Sequence, residues 1–407
     1  MTPLHRAVIG LTQVGLVGDH QDAGKTQRPV PGQAPRQASL TCVKLLVRAG
    51  ADLQAGDSHG RKPIHWASGL GRGDMVRFLV ESAGSPRAQK KAANEKCVIQ
   101  QTAPLYWASG KGHHETVKYL LSKGAQVEYV DKRGKTAVNW AARFGHSEIL
   151  RDLLDALREG NKDVKAVVDT QELGGRTALI WAAVKGNLEC ARLLIEAGAD
   201  VDLAENVEEA LGGGTPLSWS VTHQHPAIID LLLEKGAAID IRDERRSLLG
   251  WASSSGSIAI FQKLRSSARE QHLELDPDGP DVEGNTPFML AAAKGHVGML
   301  EYLYGLQRHG EAQINVHHQN QEGNTALLLA AGWGRLPIVV WLVETAGLDI
   351  DHANVMGDTA LHRAANWGRE EVVKYLLTYR ARSNMRNKKG MLYTEVLDQF
   401  RRLNEAS

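Results

Sequence analysis

Cysteine is nearly absent: three in 407 residues, odd in number and without paired spacing, exclude a disulfide framework and point to a reducing compartment, cytosol or nucleus. Charge of one sign is lacking too. With 48 Lys and Arg against 47 Asp and Glu the formal charge is +1, so nothing in the balance favours nucleic acid or an anionic membrane surface. No apolar run approaches a membrane span, and no basic-then-apolar segment opens the chain. Metal-ligand clusters are missing. His223 and His225 form a lone His-x-His and His317-His318 a pair at a turn tip, so no metal is expected. The run GDHQDAGKT, Gly18 to Thr26, has five residues between its glycines where a phosphate loop requires four, and it lacks the preceding strand. No nucleophile, base and orienting acid assemble at a usable spacing. Neither catalytic residues nor a cofactor are therefore expected.

What the chain does have is a unit that returns ten times. One slot holds Trp in six consecutive copies, Trp66, Trp107, Trp140, Trp181, Trp219 and Trp251, then Leu290, Leu329 and Arg363, with Arg6 in the first copy. The successive spacings are 41, 33, 41, 38, 32, 39, 39 and 34 residues, a unit of about 33 with loops inserted in some copies. Such a chain is a stack of small units, not a globule with one core.

Each copy has its own local logic. Thr2-Pro3, Thr215-Pro216 and Thr286-Pro287 put a hydroxyl at a helix N-cap and Pro at the first helical position, where its missing N–H costs nothing. About seven residues on, a Gly such as Gly112, Gly145, Gly186 or Gly295 breaks that helix. A second helix follows with apolar residues at helical spacing, as in Val117, Leu120 and Leu121. Gly50, Gly124, Gly198 and Gly236 end it, supplying a left-handed residue. The stretch after it, such as Ala197 to Glu205, alternates apolar and polar and is expected to be an extended turn or hairpin arm. Cys42 and Cys190 share one apolar slot of the second helix and are expected in the core, while Cys97 falls in an inserted loop.

TPLHRA (Thr2 to Ala7), TALHRAANWGREEVVKYLL (Thr359 to Leu377) and RTALIWAAVKGNLECARLLIEAGADVD (Arg176 to Asp202) resemble the ankyrin repeat pattern, and the resemblance runs from residue 2 to about 390. It implies an all-α solenoid of helix-turn-helix repeats with hairpin loops. Repeats start near 2, 62, 103, 136, 177, 215, 247, 286, 325 and 359, in one continuous array over 1–390 with an insert at 11–39. Residues 391–407 are expected to form a capping helix with Leu392, Val396, Phe400 and Leu403 on one face. Further inserts, Ser85 to Lys96, Leu157 to Gly174, Glu205 to Gly213, Glu270 to Gly284 and Leu306 to Gln313, follow outer helices and thicken the hairpin edge. The chain starts inside a repeat; either the excursion containing Val30 to Ser39 folds back as a lid, or a longer protein precedes it.

By the resemblance, the Trp slot lies on the inner helix, toward the groove. Neighbouring helices pack about 8–10 Å apart, whereas aromatic pairs interact at roughly 4.5–7 Å, so the indoles cannot form one continuous stack by themselves. Either each ring lies across the seam to the next helix, as Leu would, or the gaps between rings accept side chains or a flat ligand. The positions three and four after each slot residue should face the same groove; their overall character is basic and aromatic, with no Asp or Glu among them. They include Lys111, Arg143, Phe144, Lys185, His223, Trp333 and Trp367, and Arg335 extends the strip. His5, His65 and His362 read as structural.

The expected function is a protein-interaction scaffold. The groove would comprise Trp107, Lys111, Trp140, Arg143, Phe144, Trp181, Lys185, Trp219, His223, Trp333, Arg335 and Trp367, and its partner would be an acidic segment with an apolar anchor. The alternative is a small-molecule binder or enzyme with a Trp-lined pocket closed by an insert, using His223, Tyr106, Lys185 or Arg335 as polar groups.

Overall fold

The computed structural model describes residues 1–9, 40–205, 214–239 and 247–405; the insert at 11–39, with Val30 to Ser39, and most of Glu205 to Gly213 lie outside them. The described residues fall into two units, Met1–Asn206 and Val207–Ser407, each a stack of helix pairs. No strand occurs among the described residues.

In the first unit the inner layer comprises Pro3–Ile9, Pro63–Gly69, Pro104–Lys111, Ala137–Phe144 and Ala178–Lys185, each packed on the next. The outer layer comprises Leu40–Arg48, Gly73–Glu81, His114–Ser122, Ser147–Glu159 and Leu188–Glu196. In the second unit the inner helices are Pro216–Thr222, Leu248–Ser255, Pro287–Lys294, Ala326–Gly332 and Ala360–Asn366. Their outer partners are Pro226–Glu234, Ile258–Glu270, Val297–Arg308, Leu336–Glu344 and Glu370–Thr378. The all-helical solenoid expected from the sequence is thus present. Helix Tyr393–Glu405 packs on Ala360–Asn366, burying Val396 and seating Phe400 over Gly368, while Leu403 stays exposed.

The hydroxyls of Thr177, Thr215 and Thr286 accept hydrogen bonds from the backbone N–H groups of Ile180, Ser218 and Met289, so each starts its inner helix as an N-cap. Gly112 ends one at φ +79°, and a Cβ there would come within 2.7 Å of His146 Cε1. Both the left-handed backbone and the close ring require glycine. The core lies between the layers: Leu150, Leu153, Leu154 and Leu157 of the longest outer helix of the first unit are all buried.

Neighbouring pairs are also hydrogen-bonded to each other. The His65 Nε2–H points at the carbonyls of Glu95 (3.0 Å) and Thr102 (3.1 Å), and the His362 ring at the Met391 carbonyl. In several pairs the residue after the helix-breaking Gly reaches back instead. His113 contacts Gly69 O at 3.0 Å, Asn187 donates to Ala142 O at 2.8 Å, and His296 contacts Ser254 O at 3.0 Å.

Several sequence expectations change. The stretches between pairs are turns, with Asp131 Oδ1 accepting the N–H groups of Arg133 and Lys135. Adjacent turns are joined by single backbone bonds such as Leu173 N–H to Arg133 O (2.8 Å) and Val355 N–H to Glu322 O (2.9 Å). The insert Ser85 to Lys96 contains a helix, Pro86–Ala93, because Ser85 caps it and Pro86 occupies its first turn. Leu157 to Gly174 extends the outer helix to Glu159 and adds a short helix Val164–Val168. Cys190 is buried but Cys42 is exposed, since helix Leu40–Arg48 has an outer neighbour among the described residues on one side only. Cys97, although in a loop, is fully buried with Sγ 3.0 Å from Thr102 Oγ1.

Candidate functional site

The indole row of the first unit is built from a recurring triple. An acid nine residues before the Trp and a cation five before it are Asp57 and Arg61 for Trp66, Asp131 and Lys135 for Trp140, and Glu172 and Arg176 for Trp181. The cation lies over the ring: Arg61 Cζ is 4.4 Å from the Trp66 centroid, Lys135 Nζ 5.2 Å from Trp140 and Arg176 Cζ 4.9 Å from Trp181. In the first triple the acid fixes both other members. Asp57 Oδ2 bridges Arg61 Nε at 2.9 Å and accepts from Trp66 Nε1 at 3.2 Å. Burial pushes the Asp57 carboxyl up, but the Arg61 and His59 backbone N–H groups, the guanidinium and the indole outweigh it and hold the carboxyl at about 2.

Trp107 departs from this pattern. The residue five before it is Thr102, whose hydroxyl accepts from Trp107 Nε1 at 3.1 Å, and the residue nine before it is Val98. No cation therefore covers its ring from that position. Two apolar slots open on its flanks. One, about 150 Å³, lies between Trp66 and Trp107 with Gly69 and Leu70; the other, about 190 Å³, lies between Trp107 and Trp140 with Tyr106, Gly110 and Phe144. Lys111 lines both. The Tyr106 hydroxyl is committed to the carbonyls of Tyr129 and Lys135, and burial raises its pKa.

The gap between Trp140 and Trp181 is filled by the protein itself. Lys135 Nζ stands 5.2 Å from one ring and 5.4 Å from the other, bridged to Glu172 at 2.7 Å, while Glu172 accepts from Trp181 Nε1 at 3.2 Å. Arg143 Cζ lies 4.1 Å from the Trp181 centroid. Both charged side chains of the bridge are about nine-tenths buried, 10% and 8% exposed.

The structure also separates the positions three and four after each Trp. A Cβ on Gly69 would lie 3.3 Å from Trp107, and one on Gly110 3.2 Å from Trp140. The third position is covered by the next ring at Gly69 and Gly110, and it is buried at Val184, Ala293 and Gly332, whereas Asn366 is exposed. The expectation that both positions face the groove is corrected at Val184, Ala293 and Gly332, because there that side of the helix turns toward its neighbour. The fourth positions Lys111, Phe144, Lys185, His223, Trp333 and Trp367 are exposed. Phe144 stacks on Trp140 with centroids 5.6 Å apart and planes at 12°.

Of the twelve residues expected in the groove, Trp107, Lys111, Trp140, Arg143, Phe144, Trp181 and Lys185 belong to the first unit. Trp181 is buried, at 7% exposure, and Trp107 and Trp140 are half-buried. Trp219, His223, Trp333, Arg335 and Trp367 belong to the second unit, and each set stands by itself. There His223 leans on Trp219 at 5.4 Å, and Lys294 Nζ lies 5.6 Å from the exposed Trp333 ring. Arg335 is not a free cation of the strip: half-buried, its Nε donates to Ala293 O at 3.2 Å, and Arg369 does the same to Gly332 O at 3.3 Å. Sequence reasoning missed Arg61, Lys135 and Glu172, although the acid-cation-Trp spacing was there to be read.

Stacked helix pairs, tied side chain to carbonyl across several seams, accompany a match to one family model. Its description is "Ankyrin repeats (3 copies)", and it matches residues 87–166, 133–205, 152–243 and 289–387, more than half of the chain. The chain belongs to the ankyrin repeat family. Among curated ankyrin-like relatives, it is 40% identical over 63 residues to mouse protein phosphatase 1 regulatory subunit 27, covering 16% of this chain and 38% of that protein. It is 38% identical over 71 residues to human cyclin-dependent kinase inhibitor 2A, covering 17% and 45%. The matched segments thus span under half the length of these relatives. The solved ankyrin repeat domain of human ASB11 aligns with a TM-score of 0.49 at 22% identity, over 60% of this chain and 98% of that one. No helix among the described residues is long and apolar enough to cross a membrane.

Proposed function

We propose that the chain is a protein-interaction scaffold that holds a partner on the groove face of its inner helices, chiefly along the indole row of the first unit, and performs no chemistry of its own. The observation that carries this reading is the pair of apolar slots beside Trp107 with the exposed Lys111 between them. Aromatic and cationic side chains at a partly desolvated surface are what protein-binding hot spots are made of. Relatives named as a phosphatase regulatory subunit and a kinase inhibitor are consistent with a role exerted on other proteins. The slots, about 150 and 190 Å³, fall below the roughly 300–1,000 Å³ of small-molecule pockets and suit single side chains. Tyr106 and Arg335, polar groups that a small-molecule site would need, are engaged with backbone carbonyls. The three unpaired thiols suit the cytosol or nucleus.

The test is capture of partners from cell extract on the immobilised full chain beside a Trp107→Leu/Trp140→Leu variant. Leu290 and Leu329 occupy the same slot of other repeats, so the variant is expected to fold, as circular dichroism and melting would verify. A protein retained by wild type and lost by the variant supports the reading. Equal retention by both moves recognition off the indole row and overturns it.

A further inference from the structure

We propose that the two slots astride Trp107 are read together by one extended segment of a partner. Two large apolar side chains, three residues apart, enter on either side of the indole, and a carboxylate between them meets the Lys111 ammonium. The inference rests on the groove reading above and specifies its ligand.

The geometry asks for two anchors. The slots share Trp107 and Lys111, so an occupant of one lies against the wall of the other. Each is a single side chain in size, and each is floored by a glycine, Gly69 or Gly110, on which the next ring rests, so a ligand cannot enter deeper than one residue. Successive slots repeat with the inner helices, about 8–10 Å apart. An extended polyproline-II segment has three residues per turn and rises about 3.1 Å per residue, which brings side chains i and i+3 to one side roughly 9 Å apart. A β-strand offers same-side residues at i and i+2, near 7 Å, which falls short of that spacing.

Charge fixes the residue between them. The ionised side chains lining the slots are Arg61 and Lys111. Arg61 is bridged to Asp57 at 2.9 Å and lies on the Trp66 ring. Lys111 is exposed and makes no ion pair among the described residues, and no acid lines either slot. A carboxylate set over Trp107 thus gains a cation without displacing an existing partner. The third gap, where Lys135 and Glu172 lie between Trp140 and Trp181, shows the same device made internally: an ion pair seated against indoles.

Fluorescein-labelled octapeptides carrying a Φ-Gln-Glu-Φ core, with Φ as Leu or Phe, titrated by anisotropy against the full chain, test this. The probe set includes the same residues with the two Φ at i,i+2 and at i,i+7, and Φ-Gln-Lys-Φ. Expected is saturable binding of the i,i+3 Glu peptide, weakened at least tenfold by either altered spacing and by Trp107→Leu. Lys111→Glu, on an exposed site, should reverse the preference from the Glu to the Lys peptide, a change that a misfolded groove would not produce. Equal binding at all three spacings, indifference to Lys111→Glu, or no binding of any peptide overturns the proposal. If the peptides fail while Trp107→Leu/Trp140→Leu still abolishes partner capture, the groove reading stands and this description of its ligand falls.

Discussion

In the first unit the positions nine and five before the ring slot are Asp57 and Arg61, Asp131 and Lys135, or Glu172 and Arg176, and the slot holds Trp. In the last three repeats of the second, which follow those of Trp219 and Trp251, they are Asp281 and Asn285 before Leu290, Asn320 and Asn324 before Leu329, and Asn354 and Asp358 before Arg363. There the side chains bond to one another across the turns: Asn320 to Asn285, Asn354 to Asn324 and Asn387 to Asp358, each at 2.8 Å. This ladder of Asn amides and Asp carboxylates satisfies its donors and acceptors within the turns, and the slot beside it holds Leu290, Leu329 or Arg363. A cation at the same place needs both a counter-charge and a polarisable face, which the indole provides. The difference teaches that in the first unit Trp66, Trp140 and Trp181 are each one half of a charged lattice, and that Trp107, which lacks the cation, is where that unit's lattice is left open.

The contrast breaks most sharply at Lys135. Lys135→Ala strands Glu172 in a buried site and is expected to cost about 3–5 kcal/mol, read as a lower urea midpoint, whereas Lys135→Met with Glu172→Gln returns most of it. A cost under about 1 kcal/mol for the single change would mean that the bridge does not hold the third gap. Next in size is a pH effect in the second repeat. Burial holds the His65 imidazole at about 4, against an ordinary 6.5. The unfolded chain therefore binds the extra proton first as pH falls. Stability is intact above pH 6.5 and declines through pH 4, by roughly 3 kcal/mol in all. Urea midpoints at pH 7.5 and 4.5 should differ accordingly, and the difference should shrink in His65→Gln.

Smaller effects sharpen the other side of the comparison. Asn354→Ala removes an amide whose Oδ1 accepts the N–H groups of Met356 and Asp358, both at 2.9 Å, and leaves Asn324 without its donor. The expected loss is about 1–3 kcal/mol in the urea midpoint. Smallest is Trp107→Leu, expected within about 1 kcal/mol because the ring is open on both flanks and its loss creates little new enclosed void. A much larger cost would show Trp107 to be a core residue after all.

The fold was legible because its signals are local. Thr215-Pro216, Thr286-Pro287 and the glycines that end most inner helices act within a few residues of themselves, and the apolar spacing of Val117 and Leu120 needs no tertiary knowledge. The candidate site was legible in its rings and not in their surroundings. Lys135 meets Glu172 from 37 residues away, and Arg143 lies closer to the next ring (4.1 Å) than to its own (6.0 Å). Arg335 read as a groove cation because its charge is visible in the sequence, whereas the Ala293 carbonyl that receives it lies 42 residues upstream. Cys42 matched Cys190 in register but has, among the described residues, a flanking outer helix on one side only.

At five junctions the side chain after the helix-breaking glycine closes its predecessor: His113, Asn187, His296, Arg335 and Arg369 each reach the final turn of the helix one pair earlier. Ownership of a helix end is thereby staggered by one module along the chain. Grafting, deleting or duplicating modules must then respect that offset, since a cut at the visible boundary removes one module's plug along with the next module's body. A shortened array would keep its integrity only where the residue at the new junction brings a donor of equal reach.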